Sequence, residues 1–138
     1  MFALEDVRSF FRAVNESDKA KPWLHAYDMN VCFELEDTRF TVVIDGGKIV
    51  EIADGLPPTI DLQRDLVVSG ERSWFQLVLE GRITPATAMF HGKLLPKGAR
   101  AKHNQAVVAF RLMRLAQQRS VLTSYDSVEG YLDRNDLR

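Results

Sequence analysis

Residues 31–53 read VCFELEDTRFTVVIDGGKIVEIA, and the predicted architecture is built outward from this stretch. Apolar and polar residues alternate through residues 31–36, 39–45 and 48–53, which is the period-two pattern of half-buried strands. Gly46-Gly47 separates the last two runs and is typical of a hairpin turn that needs positive φ. The stretch therefore predicts a three-stranded antiparallel meander. The residues expected on its apolar faces are Val31, Phe33, Leu35, Phe40, Val42, Ile44, Val50 and Ile52.

After the meander, the pattern predicts one more strand and then two short helices. Residues 60–68 follow a Pro-Pro breaker and are predicted as a fourth strand. Apolar residues at helical spacing then predict a short helix that ends at Gly81, a common C-terminal stop. Thr84-Pro85 predicts the start of a second short helix, because Thr is a favoured cap and Pro is favoured at the first helical position.

A fifth strand is predicted at residues 89–95, where Phe90 and Leu94 are set against Lys93. Pro96 ends this strand or places it at a sheet edge, since proline cannot donate to a ladder.

The two ends of the chain predict the remaining helices. Residues 2–14 have the spacing of an amphipathic helix, and residues 100–117 predict the longest helix. Residues 15–29 read as a connection, and residues 120–138 are weakly patterned. The order of elements implies an α+β fold, in which helices cover one face of a five-stranded, mostly antiparallel sheet.

Length, charge and cysteine content exclude several classes of function. The 138 residues fit one domain, 1–138, that can bury a core without metal or disulfides. A net charge of −1 gives no polyelectrolyte character, so no nucleic-acid partner is expected. Cys32 is the single cysteine, which fits a reducing compartment. With neither a signal-peptide pattern nor the roughly 18 apolar residues of a membrane span, a cytoplasmic location is expected.

Two runs resemble the lipid-binding domain of the sterol carrier protein type 2 family. FELEDTRFTVVIDGGK, residues 33–48, is similar to the first hairpins of that domain. LEGRITPATAMFHGKL, residues 79–94, is similar to its sequence of helix, glycine, Pro-led helical turn and Gly-Lys-Leu strand, which a glycine, here Gly98, follows. The resemblance is strongest over residues 30–116.

The resemblance implies a non-enzymatic carrier with no cofactor. Its sheet and helices would enclose an apolar cavity for a fatty acyl, sterol or isoprenoid ligand. Some family members are accessory factors in polyprenyl quinone synthesis. An alternative role is therefore that of an accessory module that serves a lipid- or quinone-processing partner enzyme. The C-terminal Asp136-Leu137-Arg138 is not the peroxisomal address of other members. The residues expected to line the cavity are Trp74, Phe75, Val78, Leu79, Phe90, Leu94, Phe110 and Met113.

The same apolar residues fit a solid core, and two other functions stay open. An interaction module would show a filled core and an exposed apolar patch. A small enzyme would need a buried acid beside a histidine. Its candidate groups are Asp45, Asp61 and Asp65 with His25, His91 and His103, none of them in a two-histidine metal spacing. Cys32 is expected to be inert, because no base adjoins it in sequence.

The charge distribution is uneven along the chain. Residues 81–125 contain no Asp or Glu and eight Lys or Arg, which leaves the rest of the chain with a net charge of −9. Lys93, Lys97, Arg100 and Lys102 are therefore expected to give transient contact with an anionic membrane. The alternative is that acidic strands and basic helices neutralise one another across the fold.

Overall fold

The computed structural model describes residues 2–16, 27–61, 64–97 and 103–124. Helix α1 spans Leu4–Arg12 and continues as a 3-10 helix over Ala13–Glu16. Strands β1 (Met29–Leu35), β2 (Thr38–Asp45), β3 (Lys48–Asp54) and β4 (Leu66–Gly70) follow. Helices α2 (Arg72–Leu79) and α3 (Pro85–Phe90), strand β5 (Leu94–Lys97) and helix α4 (His103–Ser124) complete the order. The predicted tail beyond residue 124 and most of the predicted connection lie outside the described residues.

The five strands form one sheet in the order β3-β2-β1-β4-β5. Strands β1 and β4 pair in parallel, and the other three pairs are antiparallel. Side chains of the helices and of one sheet face form a single hydrophobic core. These observations confirm the predicted α+β fold with a mostly antiparallel sheet covered on one face.

Strand β3 differs from its predicted register at Val50. Val42 pairs with Ile52, but Ile44 pairs with Ile49, so the ladder shifts by one residue between Val43 and Ile44. This bulge turns both Ile49 and Ile52 into the core and leaves Val50 58% exposed. Placing Val50 on the core face was therefore wrong.

The predicted fourth strand begins too early. The backbone N–H groups of Arg64 and Asp65 both donate to the carbonyl of Asp61, which makes a turn, and the strand starts only at Leu66. The Asp65 side chain is buried and accepts hydrogen bonds from the Asn30 backbone N–H and from Arg64 Nε, both at 2.9 Å. Asp65 thus ties the turn to β1, which a strand pattern does not foresee.

The predicted fifth strand at residues 89–95 is also wrong at its start. Thr84 Oγ1 accepts from the Thr87 backbone N–H and caps α3, which then runs through Phe90. A turn with Gly92 at φ +70 intervenes before β5. Phe90 therefore ends a helix and does not share a strand face with Leu94. Strand β5 lies at the sheet edge, as its proline predicts.

Aromatic rings fill the middle of the core. The rings of Phe33 and Phe40 stack with centroids 4.8 Å apart, and Phe75 of α2 lies 5.4 Å from Phe33 and 5.6 Å from Phe40. Phe11 of α1 contacts Phe33 at 5.7 Å. These contacts join both helices to the sheet. The predicted enclosed cavity is not shown, and it stays a prediction.

Candidate functional site: a groove between the first two helices

A groove of about 390 Å³ lies between α1 and α2. This volume falls at the lower end of the range of small-molecule sites, roughly 300–1,000 Å³. The groove is open on one side, so a molecule in it would keep part of its surface in water. The residues that line it are Phe2, Asp6, Ser9, Phe10, Gln76, Leu79 and Glu80.

The N-terminal segment holds the groove's first wall in place. Asp6 accepts a hydrogen bond from the Ala3 backbone N–H at 2.8 Å, which satisfies a donor at the start of α1. Phe2 packs its ring edge against Phe75 of α2, with centroids 5.3 Å apart. Phe10 is buried on the core face of the same helix. The helix start is therefore fixed to α2 by an aromatic contact.

The second wall contains a buried oxygen without a partner. Gln76 Nε2 donates to Glu80 Oε1 at 3.1 Å, one helical turn further on. Within the part of the chain that the structure describes, Gln76 Oε1 is buried and accepts no hydrogen bond. Such atoms are few in folded proteins. The groove thus has both apolar and polar side chains in its lining, and the unpartnered Gln76 oxygen is buried beneath it.

The eight predicted cavity residues divide among three environments. Phe75, Val78, Leu94 and Met113 are fully buried in the core. Trp74, Leu79 and Phe110 are partly buried and pack against it, and Leu79 also lines the groove. Phe90 is 85% exposed at the end of α3. Contact of these residues with a ligand stays a prediction.

Sequence reasoning missed most of the groove residues. Asp6 could have been recognised, because an acidic residue three positions after a helix cap commonly reaches back to the cap N–H. Phe2 and Phe10 lie on a predicted helix whose packing partner was unknown. No signal in the sequence indicates that the Gln76 amide is buried.

A second feature lies at the C-terminal end of α3, where Phe90 is exposed. The neighbouring His91 ring lies 5.5 Å from the Trp74 ring, and Lys93 Nζ lies 5.9 Å from the same ring. Lys93 also forms an ion pair with Glu71 at 3.1 Å. We call Phe90, His91, Trp74 and Lys93 the Phe90 face.

The contacts of Cys32 and Asp65, two residues considered for catalysis, are those of structural residues. Burial raises the pKa of the Cys32 thiol to about 11, although a hydrogen bond with Thr41 opposes the rise. Asp65 is engaged by Arg64 and Asn30. Over the described ranges, no three His, Cys, Asp or Glu side chains come together as a metal site. The side chains of the other two histidines lie outside the described residues.

None of the helices in the described ranges combines the length and apolar character that a membrane-crossing segment requires. No protein-family model matches the chain, and no curated protein matches it.

Solved structures do match. A conserved hypothetical protein of Thermus thermophilus, described as possibly a sterol carrier protein, has a TM-score of 0.57 and 19% identity, over 86% of this chain and 89% of its own. Sterol carrier protein 2 has a TM-score of 0.57 and 20% identity, over 86% of this chain and 98% of its own. The UbiJ-SCP2 ubiquinone synthesis protein has a TM-score of 0.56 and 12% identity, over 83% and 91%.

These likenesses define a class of fold: a mixed sheet covered on one face by helices. The chain has the fold of a sterol carrier protein 2-like domain. At identities of 12–20%, the comparison establishes the fold and leaves the ligand to be argued from the groove.

Proposed function

We propose that this protein binds a lipid-like apolar molecule and carries it, or presents it to a partner enzyme, in the cytoplasm without chemical conversion. The observation that carries the proposal is the groove between α1 and α2, whose lining joins the apolar side chains of Phe2, Phe10 and Leu79 to four polar residues. The fold shared with sterol carrier protein 2 supports the same reading. The cavity residues predicted from sequence remain candidates for a deeper continuation of this site.

The energetics favour weak, unselective binding of the apolar chain. Burying one methylene contributes about 0.8 kcal/mol, so ten would contribute roughly 8 kcal/mol before costs. Association costs at least about 4 kcal/mol in lost freedom of motion. An open groove leaves part of the chain in water, which lowers the gain further. The dissociation constant for the ligand's apolar chain alone should therefore be micromolar or weaker, which suits a carrier that must release its ligand.

The groove can be tested by filling it. Ser9 is exposed on α1 and lines the groove, so Ser9→Phe should occupy the space without disturbing the core. Ala86→Phe adds the same ring at an exposed position of α3 that does not line the groove. An environment-sensitive acyl probe, competed with unlabelled chains, should bind the wild type and the Ala86 variant and bind the Ser9 variant several-fold more weakly. A wild type without saturable, competable signal would refute lipid binding.

We also propose a second role, contact with an anionic membrane through the Phe90 face. The supporting observation is the exposed Phe90, three residues before Lys93 in the acid-free part of the chain. Each base near an anionic surface contributes about 1 kcal/mol, within a Debye length of about 10 Å at 0.1 M salt. Lys93 alone would thus give too little binding energy for membrane contact, which would also need the Phe90 ring or further bases. The side chains of Lys97, Arg100 and Lys102, which were predicted to contribute, lie outside the described residues.

Co-sedimentation with vesicles across a salt series tests this contact. Phe90→Ser removes the exposed ring. Val50→Ser is the matched control, because Val50 is an exposed apolar residue on β3, the sheet edge opposite to β5, the strand that follows Phe90. Membrane contact requires a preference for anionic vesicles that salt removes and that Phe90→Ser alone weakens. Equal sedimentation with anionic and neutral vesicles would exclude this role and leave a partner enzyme as the candidate for the Phe90 face.

A further inference from the structure

Strand β3 lies at one edge of the sheet and pairs with β2 on one side. In an antiparallel pair, some residues bond to the partner strand, and the backbone groups of the residues between them point away from it. Such N–H and C=O groups at a sheet edge are a template on which another chain can add a strand. The side chains of Lys48, Val50, Glu51 and Asp54 are exposed, so β3 lies at the protein surface.

The side chain of Asn15 occupies part of this edge. Its Nδ2 donates to the Ile49 carbonyl at 2.8 Å, and its Oδ1 accepts from the Ile49 backbone N–H at 2.9 Å. Two residues that face each other in an antiparallel pair exchange the same two bonds, one N–H to one carbonyl in each direction. The Asn15 amide therefore bonds to Ile49 as a residue of a neighbouring strand would.

Arg8 of α1 covers a second position of the same strand. Its Nε donates to the Ile52 carbonyl, at a longer 3.4 Å. The bulge of β3 lies between Ile49 and Ile52, and bulges also hinder pairing at sheet edges. Val14, which precedes Asn15, is fully buried in the core. The cover over β3 is therefore anchored to the core through α1 and its 3-10 extension.

We infer that Asn15, assisted by Arg8, closes an interaction surface on the edge of β3, and that the partner it excludes is an antiparallel β3 strand from a second copy of this chain. The choice of partner follows from charge, because β3 begins at Lys48 and ends at Asp54. Antiparallel pairing of two such strands brings Lys48 of each copy towards Asp54 of the other, so opposite charges meet at both ends. Parallel pairing would place like charges side by side. The Asn15 cap is thus an autoinhibitory contact, and it is independent of the proposed lipid binding.

Removing the cap should let two molecules pair. Asn15→Ala leaves the Ile49 N–H and carbonyl without the amide, so a second copy no longer has to displace it. One hydrogen bond changes an equilibrium constant by roughly two- to tenfold, so two bonds in each copy should tighten self-association at least about tenfold. Sedimentation velocity over a concentration series measures this change. Gln118→Ala is the matched control, because it removes an amide from α4, away from β3, and should leave self-association unchanged.

Cross-linking with a short bifunctional maleimide shows which surface pairs. Val50→Cys places a thiol on β3, and Ala86→Cys places one at an exposed position of α3. Cys32 is fully buried, so the introduced cysteine is the accessible thiol. When each is combined with Asn15→Ala, Val50→Cys should give a cross-linked dimer and Ala86→Cys should not.

Circular dichroism shows whether the variants fold. Asn15→Ser, whose side chain is too short to form both bonds, repeats the test if Asn15→Ala does not fold. A folded Asn15 variant that self-associates no more tightly than the wild type would overturn the inference. So would a chain with intact Asn15 that already cross-links through Val50→Cys, or a dimer joined through Ala86→Cys alone. Unfolding of both Asn15 variants would also overturn it, because the amide would then be a requirement of the fold and not a cap.

Discussion

Replacing Gln117 with leucine should weaken the attachment of α4 to the end of α2. Gln117 is a polar side chain of the core and is only 2% exposed. Its Nε2 donates to the carbonyls of Val78, at 3.0 Å, and Ile83, and its Oε1 accepts from Arg114 at 2.9 Å. The amide therefore joins the long helix to the turn that follows α2, the helix that carries Gln76 and Leu79.

The expected cost follows from what the substitution leaves behind. The Val78 carbonyl keeps a second partner, the Gly81 backbone N–H at 3.0 Å. The Ile83 carbonyl loses the Gln117 donor. One unsatisfied buried acceptor costs about 1–3 kcal/mol, and each further lost bond about 0.5–1.5 kcal/mol, partly offset by the apolar leucine. We therefore expect the free energy of unfolding to fall by about 2–3 kcal/mol, or roughly 6–15 °C in Tm.

The neighbouring Gln118 supplies a matched control. It is partly exposed on the same helix, so Gln118→Leu makes the same chemical change outside this bonding network. Urea unfolding followed by circular dichroism gives both values, and unchanged m-values would show that the unfolded states are comparable. The reasoning would be wrong if the two variants had the same stability to within about 0.5 kcal/mol, the usual range for surface changes.

Three further predictions follow from burial and register. Burial raises the pKa of the Asp65 carboxyl, but hydrogen bonds from Arg64 and from the Asn30 backbone outweigh burial and hold this pKa below its usual value. The free energy of unfolding should therefore decrease as the pH falls below about 4. Urea unfolding at several pH values should show a smaller decrease for Asp65→Asn. Cys32, with a pKa of about 11, should react with a chromogenic disulfide at pH 8 only on unfolding, and fast labelling of the folded protein would contradict its burial. Val50→Lys should change the free energy of unfolding by less than about 0.5 kcal/mol, whereas Ile49→Lys should unfold the protein; equal effects would refute the bulge.

The order of elements was predictable because each has a local signal. Alternation predicted the meander, and the Thr-Pro cap predicted the start of α3. The errors arose where a contact distant in sequence overrides the local pattern. The bulge at Val50 depends on the pairing of β2 with β3, and the late start of β4 depends on Asp65 reaching the Asn30 backbone. The periodicity of a single segment carries no information about either of these contacts.

The groove was less predictable than the fold, because periodicity identifies a face and not a void. The family resemblance implied that aromatic residues of the helices line a cavity, and Phe75, one of them, packs into the ring cluster with Phe33 and Phe40. The groove instead depends on the separation of two helices that are far apart in sequence. Leu79, predicted to line an apolar cavity, lines this groove, where its partners Phe2 and Phe10 come from α1, and its contact with a ligand stays a prediction.

The division between sheet and helices bears on where selectivity resides. The ring cluster joins the sheet to α1 and α2 and accounts for a stable framework, whereas the polar groups of the groove are all on the two helices. A change at Ser9 or Glu80 can therefore alter the lining of the groove without changing the core. Because fold and site are separable in this way, a shared sterol carrier protein 2-like fold at 20% identity is compatible with a different preferred ligand. Under the proposed function, the side chains of α1 and α2, more than the fold, should decide which ligand is bound.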